Sequence, residues 1–230
     1  PHGTLDVTNK ITGTEYQDLL IFEDCADVGD GWNYRKPLMD SRVLSIGSKT
    51  DFSIEYEGRF GVKWKIVHYV NVPERMKPNG DGRAGTTQEL KITTFMTMKK
   101  GSPKLEFETH IDNHIEEHRM RVLFPTYMNT DAFFATTPFY LQDRPIKKID
   151  WSDYVEIETG VFPNQGVIIL KDARECLGLY NKGLYEVEVT DDPSHTIALT
   201  LFRSFKSEVG RNTGEMSFMK RKMRFDYALE

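Results

Sequence analysis

The chain has 230 residues, 35 acidic against 30 basic side chains and a formal net charge of −5. That length suffices for one large domain with a sizeable core, and the acidic balance leaves no electrostatic footprint for nucleic acid. No apolar run reaches the length of a bilayer, so no membrane contact is expected.

Cys25 and Cys176 are the only thiols. They allow one disulfide but no stapling framework, and they fit a reducing, cytoplasmic compartment at least as well. The first residues, Pro1-His2-Gly3-Thr4-Leu5-Asp6-Val7, start directly in strand-like alternation, without initiator Met, basic region or apolar leader. They read as the start of a fragment of something longer. No linker divides residues 1–230, so a single β domain is expected.

Period-two alternation then recurs along the chain. Leu5 and Val7 lead through a turn at Gly13 to Tyr16, a hairpin-like opening. Residues 22–34 interrupt the rhythm with four carboxylates (Glu23, Asp24, Asp27, Asp30), two glycines and two amphipathic aromatics, Trp32 and Tyr34. The segment reads either as a polar inter-strand loop of Asx-turns or as a sugar-binding loop, in which carboxylates accept from hydroxyls and aromatic faces lie on the C–H faces of a ring. Phe52, Ile54 and Tyr56 form one stripe, and Val62, Trp64, Ile66, His68, Val70 and Val72 the next. Residues 73–87, rich in Pro, Gly, Asn and charge, read as a mobile loop or an insertion. Leu90, Ile92, Thr94, Met96 and Met98 resume the pattern; Leu105, Phe107, Thr109 and Ile111 follow, opposite Glu106, Glu108, His110 and Asp112. Met120, Val122 and Phe124 oppose Arg119 and Arg121. Residues 129–148, interrupted by Pro138 and Pro145, read as irregular and ligand-facing. Further strands are expected at 166–170, 184–190, 196–204 and 223–229, with a polar loop at 208–215. Helical periodicity never persists. The expectation is an all-β, antiparallel fold of two packed sheets with little helix.

Few residues assemble into a chemical set. His110, His114 and His118 have helix-like spacing for a metal, yet the segment alternates as a strand, which turns His110 to the polar face and leaves the other two in or after a turn. Glu23, Asp24, Asp27 and Asp30 are the candidates for a glycosidase pair, whose carboxylates must lie about 5 Å apart for retention or roughly 6.5–9.5 Å for inversion. No nucleophile elbow is present, and Cys25 has no placed base. Trp32 and Tyr34, two apart, would share a strand face as a stacking platform. Arg119 and Arg121 share a face too, as structural salt bridges or as a carboxylate clamp.

Several segments together resemble the C-terminal β region of glycoside hydrolase family 38, the α-mannosidases, with bacterial members most similar. They are Gly3-Thr4-Leu5-Asp6-Val7-Thr8-Asn9-Lys10 with Thr12-Gly13; Phe22-Glu23-Asp24 with Asp27, Gly29-Asp30 and Trp32-Asn33-Tyr34; Asp112-Asn113 with the run His118 to Thr126; Ala198 to Ser204; and Phe225 to Leu229. The resemblance implies a supersandwich, the galactose-mutarotase-like pair of large antiparallel sheets. It also implies a separate N-terminal α/β barrel domain of the same polypeptide that holds zinc and an aspartate nucleophile for retaining hydrolysis through a covalent mannosyl-enzyme. None of that domain's motifs occurs here, so no catalytic or metal residue is carried over, and the chain is expected to be inactive alone. The family's β region lends the active-site rim an aromatic residue and an arginine. Asp30, Trp32 and Tyr34 match the aromatic loop, with Trp32 where the pattern has tyrosine, which favours Tyr34 for a hydroxyl contact; Arg144 is nominated for the arginine. The expected role is to complete the site for an α-mannoside, a mannosyl-glycerate or an oligosaccharide, and the resemblance allows a homo-oligomeric parent. Two alternatives remain: a free-standing carbohydrate-binding sandwich, and a mutarotase- or lyase-like enzyme using His68 or His110 with a carboxylate.

Overall fold

A computed structural model describes residues 2–148, 150, 152–153, 159–208, 211–212 and 217–230, with backbone alone at 207–208 and 211–212. The chain begins with β1 (Leu5–Thr8), β2 (Glu15–Leu19), β3 (Ile21–Ala26), β4 (Val43–Leu44) and β5 (Lys49–Gly58). The long strands β6 (Gly61–Pro73), β7 (Thr87–Lys99) and β8 (Leu105–Asp112) precede β9 (His118–Phe124), β10 (Ala132–Thr137) and β11 (Tyr140–Pro145). Then come β12 (Phe162–Pro163), β13 (Val167–Lys171), β14 (Cys176–Asn181), β15 (Glu186–Val189) and β16 (Ile197–Ser204). The short β17 (Ser207–Glu208) and β18 (Arg211–Asn212) lead to β19 (Lys222–Leu229). No α-helix occurs among the described residues.

Nine strands form one sheet in the order β11-β10-β13-β14-β19-β8-β7-β6-β5, and six form a second in the order β12-β15-β16-β9-β3-β4. Neighbours pair antiparallel, so alternate side chains leave each sheet on opposite faces. The inner faces meet in one core. Ile66, Val70, Ile92, Phe107, Ile111 and Tyr227 come from the larger sheet, and Phe22, Met120, Val122, Phe124 and Leu199 from the smaller. Phe107 lies 5.9 Å from Phe124 across the interface, ring centroid to centroid. Each such buried side chain contributes roughly 1.5–3 kcal/mol. Three polar side chains in this core bond one another: the Tyr227 hydroxyl and Thr109 are 2.6 Å apart, and Thr109 and Thr94 3.0 Å.

Four expectations change. Residues 22–34 are a loop only in their second half, because β3 is buried at every position. Residues 129–148 are ordered as the β10–β11 hairpin at the edge of the larger sheet. Pro138 stands just past β10 and Pro145 ends the edge strand, where a missing N–H removes no ladder bond. A bulge between Ile54 and Tyr56 places Tyr56 opposite Lys63, turning it to the face away from Phe52 and Ile54. The 73–87 connection carries a buried Arg83 whose guanidinium bonds the Pro73 carbonyl and pairs with Asp24. Of the expected 208–215 loop, residues 209–210 and 213–215 lie outside the described residues.

Candidate functional site

The smaller sheet buries charge on both faces, and its strand register dictates where. In β3, Phe22, Asp24 and Ala26 face the core side while Ile21, Glu23 and Cys25 face outward. β9 places Arg121 opposite Glu23 and Arg119 opposite Cys25. β16 places Thr200 opposite Arg121 and Arg203 opposite Arg119. On the outer face Arg121 therefore sits between two carboxylates. Its Nε and Nη2 donate to Glu23 Oε1 at 2.6 and 2.5 Å, and its Nη1 donates to Glu188 Oε2 at 2.5 Å. Arg42 caps Glu23 at 3.3 Å and Lys148 caps Glu188 at 3.0 Å. Charges thus alternate in a row of five side chains. Burial would lower the Arg121 pKa, but the two carboxylates outweigh it and hold the pKa above its ordinary value. Burial likewise works to raise Glu188, and Arg121 and Lys148 win, holding it below the usual range. Cys25, free and buried beside this row, is pushed up to about 12 by burial and by Glu23. It carries no thiolate at neutral pH.

Toward the core, Asp24 binds Arg83 and also His118, whose Nδ1 lies 2.5 Å from Asp24 Oδ2 and whose Nε2 lies 3.1 Å from Asn113 Oδ1. His118 thus opens β9 directly after the 113–117 connection, as a buried anchor. His110 does take the polar face, 2.7 Å from Glu108, and His114 lies 3.5 Å from Asp112. The three histidines serve separate contacts. Among the described residues no three His, Cys, Asp or Glu side chains are grouped to hold a metal ion. His68 is fully buried in β6, with Nε2–H donating to the Gly3 carbonyl at 2.6 Å; burial holds its pKa below the usual value. It faces no cleft.

The loop after β3 has a built geometry. Asp27, fully buried, accepts from the Gly29 amide at 2.9 Å and from Arg203 Nε at 2.7 Å. Arg203 Nη2 also donates to the carbonyls of Asp30 and Asn33, each at 2.9 Å. Asp30 Oδ1 accepts from the amides of Trp32 (2.8 Å) and Asn33 (2.9 Å), closing a turn. Those amides hold its carboxyl below the ordinary range. Gly29 is required by space, since a Cβ there would stand 1.9 Å from the Asn33 carbonyl oxygen. Because the chain turns between Asp30 and Asn33, Trp32 and Tyr34 do not share a face as strand geometry would have it. Trp32 stands at the tip, 76% exposed, and Tyr34 folds under it, 8% exposed. The Arg119 guanidinium lies 3.5 Å from the Tyr34 ring centroid, a stacked cation–π pair. Arg119 also reaches Glu186 at 3.4 Å. Burial raises the Tyr34 pKa, and its hydroxyl and Arg119 Nε have no hydrogen-bond partner among the described residues.

Arg144 lies apart from this loop. It belongs to β11 in the larger sheet, opposite Phe133, with its guanidinium 4.7 Å from the Phe162 ring centroid. Its Nε is buried without a hydrogen-bond partner among the described residues, and burial lowers its pKa. Arg119 and Arg121 are the buried salt-bridge residues that the structural alternative described. Arg203, which clamps the loop, was not singled out; its signal was a lone cation ending the apolar run Ala198-Leu199-Thr200-Leu201-Phe202.

Comparison with known proteins agrees with this architecture. The sequence profile described as glycosyl hydrolases family 38 C-terminal domain matches residues 1–211. A Halalkalibacterium halodurans protein named "Putative mannosylglycerate hydrolase" is 26% identical over 220 residues, covering 88% of this chain and 24% of that protein. The crystal structure of an alpha-mannosidase from Enterococcus faecalis V583 superposes with a TM-score of 0.91 at 27% identity, over 100% of this chain and 27% of that one. A second structure, of a family 38 glycosyl hydrolase protein from Enterococcus faecalis, gives 0.85 at 26% identity, over 100% of this chain and 28% of that one. The chain thus spans about a quarter of the length of these relatives. On the profile match and the shared sandwich, the chain belongs to glycoside hydrolase family 38, as the C-terminal domain of that family.

Proposed function

We propose that this domain supports and completes the substrate site of a retaining α-mannosidase or mannosyl-glycerate hydrolase, whose zinc-dependent chemistry resides in an N-terminal catalytic domain of the same polypeptide. The relatives named for mannosidase and mannosylglycerate hydrolase activity support this reading, since each is about four times as long as this chain. The disposition of the acids supports it as well. Glu23, Asp24 and Asp27 are engaged by arginines, and Asp30 is spent on its own turn. These engagements favour placing the bond cleavage outside this domain.

The observation that carries the proposal is the Trp32 loop. An exposed indole stands on a turn held by Asp27, Asp30 and Arg203, and Tyr34, two residues on, is buried against the Arg119 guanidinium. Such a tip offers a mannoside an apolar face at little entropic loss. In the intact protein, Trp32→Ala is expected to raise KM for an aryl α-mannoside about three- to tenfold, the span of one stacking contact, with kcat and Tm little changed. Unaltered kinetics would remove the loop from the substrate site. Mannoside binding by the isolated domain, measured calorimetrically and lost in the same variant, would favour a free-standing carbohydrate-binding role.

A further inference from the structure

A cleft of about 700 Å³ opens on the outer face of the nine-stranded sheet, the side of the sandwich facing away from the buried charges of the smaller sheet. Alternation along β7, β8 and β19 turns Phe95 and Thr97, Glu106 and Glu108, and Asp226 and Ala228 outward. Register then aligns Thr97, Glu106 and Ala228 in one row and Phe95, Glu108 and Asp226 in the next. The short side chains of Thr97 and Ala228 leave the floor hollow, and the rings of Phe95 and Tyr180 border it. The volume suits a small molecule.

The charge on this lining is unusual for a chain that is acidic as a whole. Five cationic side chains and three carboxylates line the cleft. The carboxylates are all engaged: Glu106 by Lys99 at 2.7 Å, Glu108 and Asp226 by Arg224 at 3.0 and 2.9 Å. Lys63 and Lys182 have no carboxylate partner among the described residues. Lys63 Nζ rests 4.6 Å from the Phe95 ring centroid, an arrangement that leaves its donors available to a ligand. The Gln165 amide and the Thr97 hydroxyl add neutral polar groups to the lining.

We propose that this cleft binds an anionic saccharide, a hydroxylated ring carrying one phosphate or carboxylate. Lys63 and Lys182 supply the counter-charge, and charge-assisted bonds of this kind are the strong ones. Gln165, Thr97 and the ion-paired carboxylates bond ring hydroxyls, while Phe95 and Tyr180 border the apolar face. Three carboxylates among the lysines repel a polyanion, and the size fits one or two sugar rings. The assignment does not depend on the role given to the Trp32 loop.

Calorimetric titration of the intact protein with mannose 6-phosphate, glucuronate, neutral mannose and inorganic phosphate tests it. At least one anionic sugar is expected to bind, and which one does so distinguishes phosphate from carboxylate. Lys63→Gln, which removes a charge from a half-exposed side chain without breaking an ion pair, should weaken that binding about tenfold. Ala228→Phe, which fills the floor, should abolish it with the fold retained by circular dichroism. The proposal is overturned if neither anionic sugar binds at millimolar concentration, or if neutral mannose or inorganic phosphate binds equally well. Binding that survives both Lys63→Gln and Ala228→Phe would overturn it too.

Discussion

Arg121 shows what a buried charge does in this domain. Glu23 is 1% exposed, and its principal partner is a guanidinium held in place by a second carboxylate. Removing one member of such a pair leaves a desolvated charge, which typically costs about 3–5 kcal/mol. Arg121→Met should therefore destabilise the protein by that amount in urea unfolding, and Glu23→Gln added to it should recover much of the loss. Additive losses would show that the row contributes no coupling. Titration supplies an independent check. Glu188 has its folded pKa below the ordinary Glu value of 4.5, so its contribution is fully present above that value and is lost as pH falls through the depressed folded pKa. The stability gap between wild type and Glu188→Gln should shrink on acidification below about pH 4. A gap constant to low pH would contradict the pairing.

At the scale of elements, period-two alternation made most strands legible, including β9 and β16, which are almost wholly buried. β7, β8 and β19 carry clean apolar stripes opposite charged ones, and each is found where alternation puts it. β3 was not legible because Glu23 and Asp24 stand side by side and break the alternation, so they read as loop residues. Their partners Arg121 and Arg83 lie far along the chain, and no local pattern announces them. The Trp32–Tyr34 pair misled for a related reason: strand spacing suggested one face, whereas the Asp30 side chain captures two amides and turns the chain between them. The charged character of the loop was visible, but its clamp by Arg203 was a tertiary fact. His68 offers a test of how β6 holds the N-terminal segment. Its pKa is depressed by burial, so below pH 6.5 the unfolded chain takes up a proton that the folded one refuses. Stability therefore falls as pH drops from 6.5 toward the folded pKa. His68→Gln, which preserves a donor for the Gly3 carbonyl without titrating, should flatten that slope. An unchanged slope would assign it to another group.

Across the whole molecule, the two sheets divide the work. Their shared interior is mainly apolar, with the Asp24–Arg83–His118 cluster buried on the smaller sheet's inner side. The outer face of the smaller sheet carries a tightly paired charge row and the rigid Trp32 loop, and the outer face of the larger sheet carries the cationic cleft. Rigid elements of this kind hold contacts in position more accurately than free loops do, which suits the proposed role of supporting a substrate site. The most direct measurement compares turnover of an aryl α-mannoside by the intact protein and by residues 1–230 alone, each with added zinc and with strand content verified by circular dichroism. The account predicts turnover by the intact protein and none by the folded 230-residue chain. Zinc-dependent hydrolysis by that chain alone would contradict it.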